Sequence, residues 1–179
     1  MADALVTAAL LRAIMPLAGA RADAFAAPLA AAMLQFEVNT STRAAAFLAQ
    51  VAHESGQLRL LREIWGPTPT QRRYEGRADL GNVEPGDGKR FMGRGLIQVT
   101  GRKNYLLCGF GLHLDLLTQP ELPVHAAASA GWYWHTHNLN RFADAGDFVG
   151  LTRAINGGIN GIAERRAFWA KAKTVLEVA

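Results

Sequence analysis

A run of apolar residues at helical spacing, covering residues 43–53, constrains the fold of this chain more than any other stretch. In the segment FLAQVAHESG the apolar side chains recur on one face, and residues 39–42 before it offer several possible N-caps. Gly56 permits the helix to end. The pattern predicts an apolar helix that carries His53 and Glu54 at its C-terminal end.

Helical spacing recurs along most of the remaining chain, which predicts a mostly α protein with a single domain over residues 1–179. Asp23 is the predicted N-cap of the second helix. Residues 66–88 are rich in Gly, Pro, Asn and Asp, which predicts a long loop with short helical turns. Residues 96–100 predict a short strand or a buried extended turn. The other predicted helices cover residues 3–15, 23–36, 126–135, 148–155 and 163–178, and another begins at 104–108.

The composition restricts the class of protein and its partners. Half of the 179 residues are apolar and 19% are charged, so the chain can bury a core without cross-links. Cys108 is the single cysteine, which excludes an internal disulfide and is typical of a reducing compartment. The formal net charge of +4 and the pI of about 9.6 favour polyanionic partners. The basic residues are dispersed along the chain, which does not indicate a nucleic-acid surface.

The amino-terminal segment predicts an amphipathic helix and not a signal peptide. Asp3 stands where a signal sequence needs basic residues, and Arg12 interrupts the apolar run. Elsewhere no apolar run approaches about 20 residues, so stable membrane insertion is not expected. We therefore expect the protein to accumulate in the cytoplasm and to need another route to any substrate outside it.

Glu54 is the first candidate for acid chemistry. A carboxyl at the edge of an apolar wall resists ionisation, because desolvation penalises the charged form. A general acid working near neutral pH needs this property. The alternative is a surface glutamate near a helix C-terminus, where the helix dipole disfavours it.

Glycoside hydrolysis requires a second carboxylate, and Glu63 and Glu75 are the candidates. An unbroken helix would place Glu63 opposite Glu54, nine residues earlier, but a turn at Gly56 would allow the two to meet. Glu75 lies among three arginines in RRYEGR. These would keep it ionised as a base, or pair with it on the surface.

The segment GRGLIQVT, residues 93–100, suits a close approach of backbone to another group, because its glycines have no side chain. Gln98 and Thr100 would alternate to the same side of an extended segment. A phosphate loop is the rival interpretation, but neither the Walker spacing nor a complete GxGxxG is present. The histidines and the lone cysteine lack a zinc pattern, no GxSxG is present, and the aromatic residues 132–134 are typical of core.

Six blocks in order, FLAQVAHESG, EIWGPT, YEGRADLGN, PGDGKRFMGRGLIQVTGRKNY, RAINGGING and ERRAFW, resemble glycoside hydrolase family 19. The chain looks most similar to the phage and prophage endolysin branch, which shares this domain with plant-type chitinases. The resemblance covers nearly the whole chain. It implies a lysozyme-like, mostly helical fold with two lobes around a central cleft, an inverting mechanism and no cofactor or metal.

The resemblance also implies roles for individual residues. Glu54 matches the general acid. The endolysin branch favours Glu63 as the general base, whereas alignment to the chitinases favours Glu75, and both remain candidates. Thr100 matches a serine that holds the attacking water. The positions that match substrate contacts are His53, Gln98, Asn104, Tyr105, Asn156 and Arg165.

The implied function is that of an endolysin, a muramidase that cuts β-1,4 bonds in the glycan strands of peptidoglycan. We expect a monomer that waits in the cytoplasm of a host bacterium until a holin opens the membrane. The family's plant cysteines are absent and the loop before Arg165 is shorter than in plant enzymes, which favours this interpretation. The alternatives are a chitinase and a non-catalytic wall-binding module.

Overall fold

The computed structural model describes residues 6–113 and 115–178. Ten α-helices are found in these residues, together with short 3₁₀ turns at Pro16–Ala18 and Ala78–Leu80. The helices are α1 Ala8–Ile14, α2 Arg21–Gln35, α3 Ser41–Glu54, α4 Pro69–Arg72, α5 Asp87–Arg90, α6 Arg102–Leu112, α7 Pro123–Thr136, α8 Asn140–Asp144, α9 Phe148–Asn156 and α10 Ile162–Val175. The predicted mostly α, single-domain architecture is confirmed.

Helix α3 is the centre of the fold. Every residue from 44 to 52 is buried, so the predicted apolar helix is enclosed on nearly all sides. Its most extensive packing is against α10, and α2 packs similarly against α7. Thr40 caps α3 by accepting a hydrogen bond from the amide of Arg43 at 3.2 Å, a contact that stabilises a helix by about 1 kcal/mol.

The buried apolar side chains form two separate clusters. The larger cluster surrounds α3 and draws on α1, α2, α7, α9 and α10. The smaller cluster lies around α6 and consists of Phe91, Val99, Tyr105, Cys108 and Leu116. Tyr133 on α7 packs against both. The division of the core agrees with the two lobes implied by the sequence.

Two details of the predicted elements are wrong. Helix α2 begins at Arg21, so Asp23 lies in its first turn and pairs with Arg12 at 2.8 Å instead of capping the helix. Residues 96–100 form a buried turn, which is the second of the two predicted alternatives, but the predicted side-chain alternation within them is wrong. The backbone of Gln98 has a φ of +56°, which breaks the predicted alternation of Gln98 and Thr100. The start of the predicted helix 3–15 lies outside the described residues.

The loop-rich middle is held by short elements. Helices α4 and α5 and one of the 3₁₀ turns fall in this part of the chain, as the sequence predicts. Asp87 in α5 accepts two hydrogen bonds from Arg102 of α6, at 2.8 and 2.6 Å. This largely buried pair ties the loop to the smaller lobe.

Candidate active site

Glu54 is the last residue of α3, and its side chain is 19% exposed. The chain turns sharply after it, because the buried hydroxyl of Ser55 donates to the carbonyl of Val51 at 2.6 Å and accepts from the amide of Leu58 at 2.8 Å. Gly56 follows with a φ of +52°. The predicted break is confirmed, and it leads the chain away from the helix axis towards Glu63.

The wall behind Glu54 is polar, in contrast to the apolar wall that the sequence predicts. Arg165 of α10 donates from Nη2 to Oε1 of Glu54 at 2.5 Å. The same guanidinium donates from Nε to the carbonyl of Asn160 at 3.1 Å and from Nη1 to Gln50. The Arg165 side chain is only 2% exposed. The structure shows a contact of Arg165 with the proposed acid, and its contact with substrate stays a prediction.

His53 forms a second link between α3 and α10. Its Nδ1 lies 2.5 Å from the carboxylate of Glu164, and its side chain is partly exposed. Gly161, at the start of α10, lies so close to the imidazole that any Cβ there would overlap the ring. Two neighbouring residues at the end of α3 are thus held by two neighbouring residues of α10.

Tyr133 lies near Glu54, although the sequence indicates only a core residue. Burial raises the pKa of the Tyr133 phenol, and the negative charge of Glu54 raises it further. The hydroxyl donates weakly to the carbonyl of Ile155, at 3.4 Å. The Tyr133 phenol therefore stays neutral, and it lies within the electrostatic reach of the candidate acid. Tyr133 lies within a run of three aromatic residues, so the sequence does not distinguish it from a core residue.

Glu63 is fixed at both carboxylate oxygens. Oε1 accepts from Gln71 Nε2 at 2.9 Å and from the hydroxyl of Tyr74 at 3.4 Å, and Oε2 accepts from the amide of Gly93 at 3.0 Å. Burial raises the pKa of Tyr74, and the Glu63 charge raises it further, so the phenol remains a donor. The Glu63 amide also donates to the Gly93 carbonyl at 2.8 Å. These bonds hold Glu63 against the glycine-rich segment.

Gly93 is required by this arrangement. A Cβ at this position would lie 2.9 Å from Oε1 of Gln98 and 3.4 Å from Oε2 of Glu63. The close backbone approach predicted for residues 93–100 is therefore to the Gln98 side chain first and to the Glu63 carboxylate second.

Glu75 occupies a different environment from the one predicted. Its two carboxylate oxygens accept from the amides of Gly86 and Gly88, at 2.6 and 2.8 Å. The neighbouring Arg77 pairs with Asp79 instead. Glu75 has no ion pair in the described part of the chain, so the predicted arginine environment is wrong. The side chain is exposed and closes the loop from 75 to 88.

The predicted polar residues of the glycine-rich segment contact one another. Gln98 donates to the carbonyl of Gly95 at 2.9 Å, and the Thr100 hydroxyl donates to the carbonyl of Gln98 at 2.8 Å. Asn104 donates from its side chain to the carbonyl of Thr100, also at 2.8 Å. The bonds join the segment to the first turn of α6, and the Thr100 hydroxyl keeps its lone pairs for an external donor.

Tyr105 and Asn156 serve local structure. The buried Tyr105 hydroxyl donates to the Met92 carbonyl at 2.5 Å and accepts from Arg94 at 2.7 Å, and burial raises its pKa to about 12. Contact of Tyr105 with substrate stays a prediction. The partly buried Asn156 donates to the carbonyl of Asn160 at 3.1 Å, and this is the carbonyl that also accepts from the Arg165 guanidinium.

Neither a metal centre nor a membrane span is found among residues 6–113 and 115–178. No three His, Cys, Asp or Glu side chains of this part converge as metal ligands. None of its helices has both the length and the apolar character that crossing a bilayer requires.

Comparison with known proteins shows the family. The model of glycoside hydrolase family 19, described as chitinase class I, matches residues 20–150. A Haemophilus influenzae glycosyl hydrolase family 19 domain-containing protein is 34% identical over 152 residues, 68% of this chain and 74% of that protein. The endochitinase CHI of Arabidopsis thaliana is 34% identical over 63% of this chain, and the match spans only 41% of the plant protein.

Solved structures share the fold. A chitinase C mutant superposes with a TM-score of 0.78 at 22% identity, covering 99% of this chain and 95% of that chain. A bacterial family 19 chitinase gives a TM-score of 0.75 at 25% identity, covering 98% of this chain and 96% of that one. The lysozyme-like fold implied by the resemblance is confirmed. The chain belongs to glycoside hydrolase family 19, and it is a glycoside hydrolase.

Proposed function

We propose that this enzyme hydrolyses the β-1,4 glycosidic bonds of peptidoglycan by an inverting mechanism, with Glu54 as general acid and Glu63 as general base. The observation that carries the proposal is the different support of the two carboxyls. Glu54 receives one donor from Arg165, whereas both oxygens of Glu63 are held by donors from Gln71, Tyr74 and Gly93. The two carboxyls are thus held separately, one at the end of α3 and one beside the glycine-rich segment, and glycoside hydrolysis by inversion requires two such carboxyls.

In the proposed reaction Glu54 gives its proton to the leaving glycosidic oxygen as the bond to the anomeric carbon breaks. Glu63 takes a proton from a water that attacks this carbon from the opposite face. Inverting enzymes hold their carboxyls about 6.5–9.5 Å apart to admit this water. The Thr100 hydroxyl accepts a hydrogen bond from the water, since its own proton is donated to the Gln98 carbonyl.

Glu63 is preferred over Glu75 because of what each carboxylate touches. Glu63 contacts Gly93, in the segment that leads to Thr100. Glu75 is exposed, and its two oxygens bind the amides of the loop that it closes. A base has to share a site with the water, and the contacts of Glu63 favour that arrangement.

The choice of peptidoglycan rests on charge and on the bacterial relative. The net charge of +4 favours an anionic polymer. The match also spans 74% of the bacterial relative but less than half of each of the similar plant chitinases and endochitinases. Chitin is the second candidate, because the names of the plant relatives specify endochitinases. As an endolysin, the enzyme would be a monomer that reaches the wall after a holin permeabilises the membrane.

The deciding experiment compares purified peptidoglycan with chitin oligosaccharides. We expect soluble muropeptides and new reducing ends from peptidoglycan, with mass spectrometry identifying the sugar at each new end. Glu54→Gln should lower turnover by about 10²–10⁴-fold, the usual contribution of a general acid. Cleavage of chitin alone would favour the chitinase, and binding without new reducing ends would favour a wall-binding module. Equal turnover by wild type and Glu54→Gln would contradict the acid assignment.

A further inference from the structure

A buried polar chain extends behind Glu54 into the larger lobe. Gln50, four residues before Glu54 on α3, and Thr152 of α9 are both 0% exposed, and Arg165 is 1% exposed. Gln50 Oε1 accepts from Arg165, and Gln50 Nε2 donates to Thr152 Oγ1 at 3.1 Å. The Thr152 hydroxyl donates to the carbonyl of Phe148 at 2.9 Å. Three helices, α3, α9 and α10, are joined by these contacts.

The chain of hydrogen bonds has only one satisfactory direction. A main-chain carbonyl can only accept, so Phe148 takes the proton of Thr152. The hydroxyl oxygen must then accept from Gln50, which turns the Gln50 amide so that Oε1 faces Arg165. A guanidinium can only donate, and it would be repelled by the NH₂ group of a reversed amide. The Phe148 carbonyl therefore sets the orientation of the Gln50 side chain, which contacts Arg165, the partner of the candidate acid.

We propose that Gln50 and Thr152 are positioning residues for catalysis, which fix the Arg165 guanidinium so that its Nη2 holds Glu54 in place. This inference deepens the proposed function and rests on Glu54 being the general acid. Arg165 has a single carboxylate partner in the described structure, so its other nitrogens depend on neutral acceptors. Gln50 supplies one of these, and the carbonyl of Asn160 supplies the other.

Catalysis is sensitive to this support because displacement of a reacting group by about 1 Å can cost roughly 100-fold in rate. Without Thr152 Oγ1, the buried Gln50 amide loses its anchor and the guanidinium is free to shift. The substrate never touches Gln50 or Thr152, since both are fully buried. Their loss should lower kcat and leave KM nearly unchanged.

The test uses Thr152→Val, which keeps the side-chain shape and removes the hydroxyl, with Thr152→Ser as the conservative rescue. We expect Thr152→Val to lower kcat by about 10- to 100-fold with KM within about twofold of wild type. Thr152→Ser should recover kcat to within about threefold. Gln50→Met is the second variant. If only one of the Thr152 and Gln50 variants folds, its kcat and KM are sufficient for the test.

Leu29→Ala is the matched control, because Leu29 is fully buried on α2 and has no part in the chain of hydrogen bonds. It should lower Tm and leave kcat near the wild-type value. The inference is overturned if Thr152→Val retains wild-type kcat while Glu54→Gln is inactive. It is also overturned if kcat falls in proportion to Tm in Thr152→Val and Leu29→Ala alike. Full activity of Glu54→Gln would instead overturn the proposed function, and this inference with it.

Discussion

At the scale of single residues, the identity of the general base separates two glutamates that look alike in the sequence. Each lies in a short motif with aromatic or basic neighbours, EIW for Glu63 and YEGR for Glu75. The structure distinguishes them by their partners. The Glu63 carboxylate accepts hydrogen bonds from Gln71, Tyr74 and the amide of Gly93. The Glu75 carboxylate accepts hydrogen bonds only from two loop amides.

Replacement of each glutamate by glutamine tests this distinction. Glu63→Gln should lower kcat by about 10²–10⁴-fold, because glutamine cannot take a proton from water. Glu75→Gln should retain kcat within about fivefold, since glutamine keeps one acceptor oxygen for the loop. Turnover on a soluble glycan measures both, with circular dichroism as the check of folding. The opposite pattern would assign the base to Glu75.

Gly93 offers a second test at this scale. A Cβ would overlap Oε1 of Gln98 and make an ordinary contact with Oε2 of Glu63. Gly93→Ala should therefore displace Gln98 and the Gly93 backbone that holds Glu63, and lower kcat by about 10-fold. Gly111→Ala is the control, because its Cβ would have no neighbour within 4 Å. It should leave activity unchanged and stabilise α6 slightly, since alanine is the better helix former. Equal effects of the two substitutions would contradict the proposed role of Gly93.

At the scale of elements, the sequence predicts the positions of the long helices well and the contacts of their side chains poorly. The apolar spacing of residues 43–53 identifies α3, and the glycine after it identifies the turn. The sequence does not show that Arg165 is buried, because the motif ERRAFW looks the same whether this arginine faces solvent or α3. The contacts of Glu75 are equally hidden, since both donors are backbone amides that belong to any residue type. The positive φ of Gln98 has no sequence signal either.

The pair formed by Asp87 and Arg102 links α5 to α6 and should make stability depend on pH. The hydrogen bonds from Arg102 hold the pKa of Asp87 below its usual value. A depressed pKa stabilises the fold above the unfolded value, near pH 4, and this stabilisation is lost as pH falls through the folded pKa. Asp87→Asn should therefore be less stable than wild type at pH 7, with the difference shrinking below about pH 4.

Urea unfolding over a pH series measures this effect, with Asp79→Asn as the control. Asp79 also has a pKa lowered by an arginine, Arg77, but both side chains of that pair are well exposed. Exposed pairs contribute little to stability. Asp79→Asn should unfold almost as wild type does at every pH. A constant difference between Asp87→Asn and wild type down to pH 2 would contradict the linkage.

At the scale of the whole molecule, the two features that matter for the proposed function are the two-part core and the basic charge. The composition predicts one α-helical domain and a preference for polyanions, because these depend on totals and not on contacts. The division of the core into two clusters depends on how α6 and α7 pack, which apolar spacing alone does not specify. Tyr133 belongs to both clusters and lies within the electrostatic reach of Glu54.

The net charge predicts that added salt changes KM for peptidoglycan and does not change KM for chitin oligosaccharides. Attraction between a protein of charge +4 and an anionic wall is screened as the Debye length falls from about 10 Å at 0.1 M to 3 Å at 1 M salt. We expect KM for peptidoglycan to rise severalfold over this range, while KM for neutral chitin oligosaccharides stays constant. Equal responses of the two substrates would show that charge does not contribute to recognition.

The two links between α3 and α10 also bear on when activity begins during synthesis of the chain. Glu54 and Glu63 leave the ribosome long before α10, yet Arg165 and Glu164, which hold the end of α3, are both supplied by α10. A nascent chain that has not yet released α10 carries both carboxyls and lacks the cation behind the acid. Until α10 has been released, the end of α3 therefore lacks both of the contacts that hold Glu54 and His53 in the finished chain.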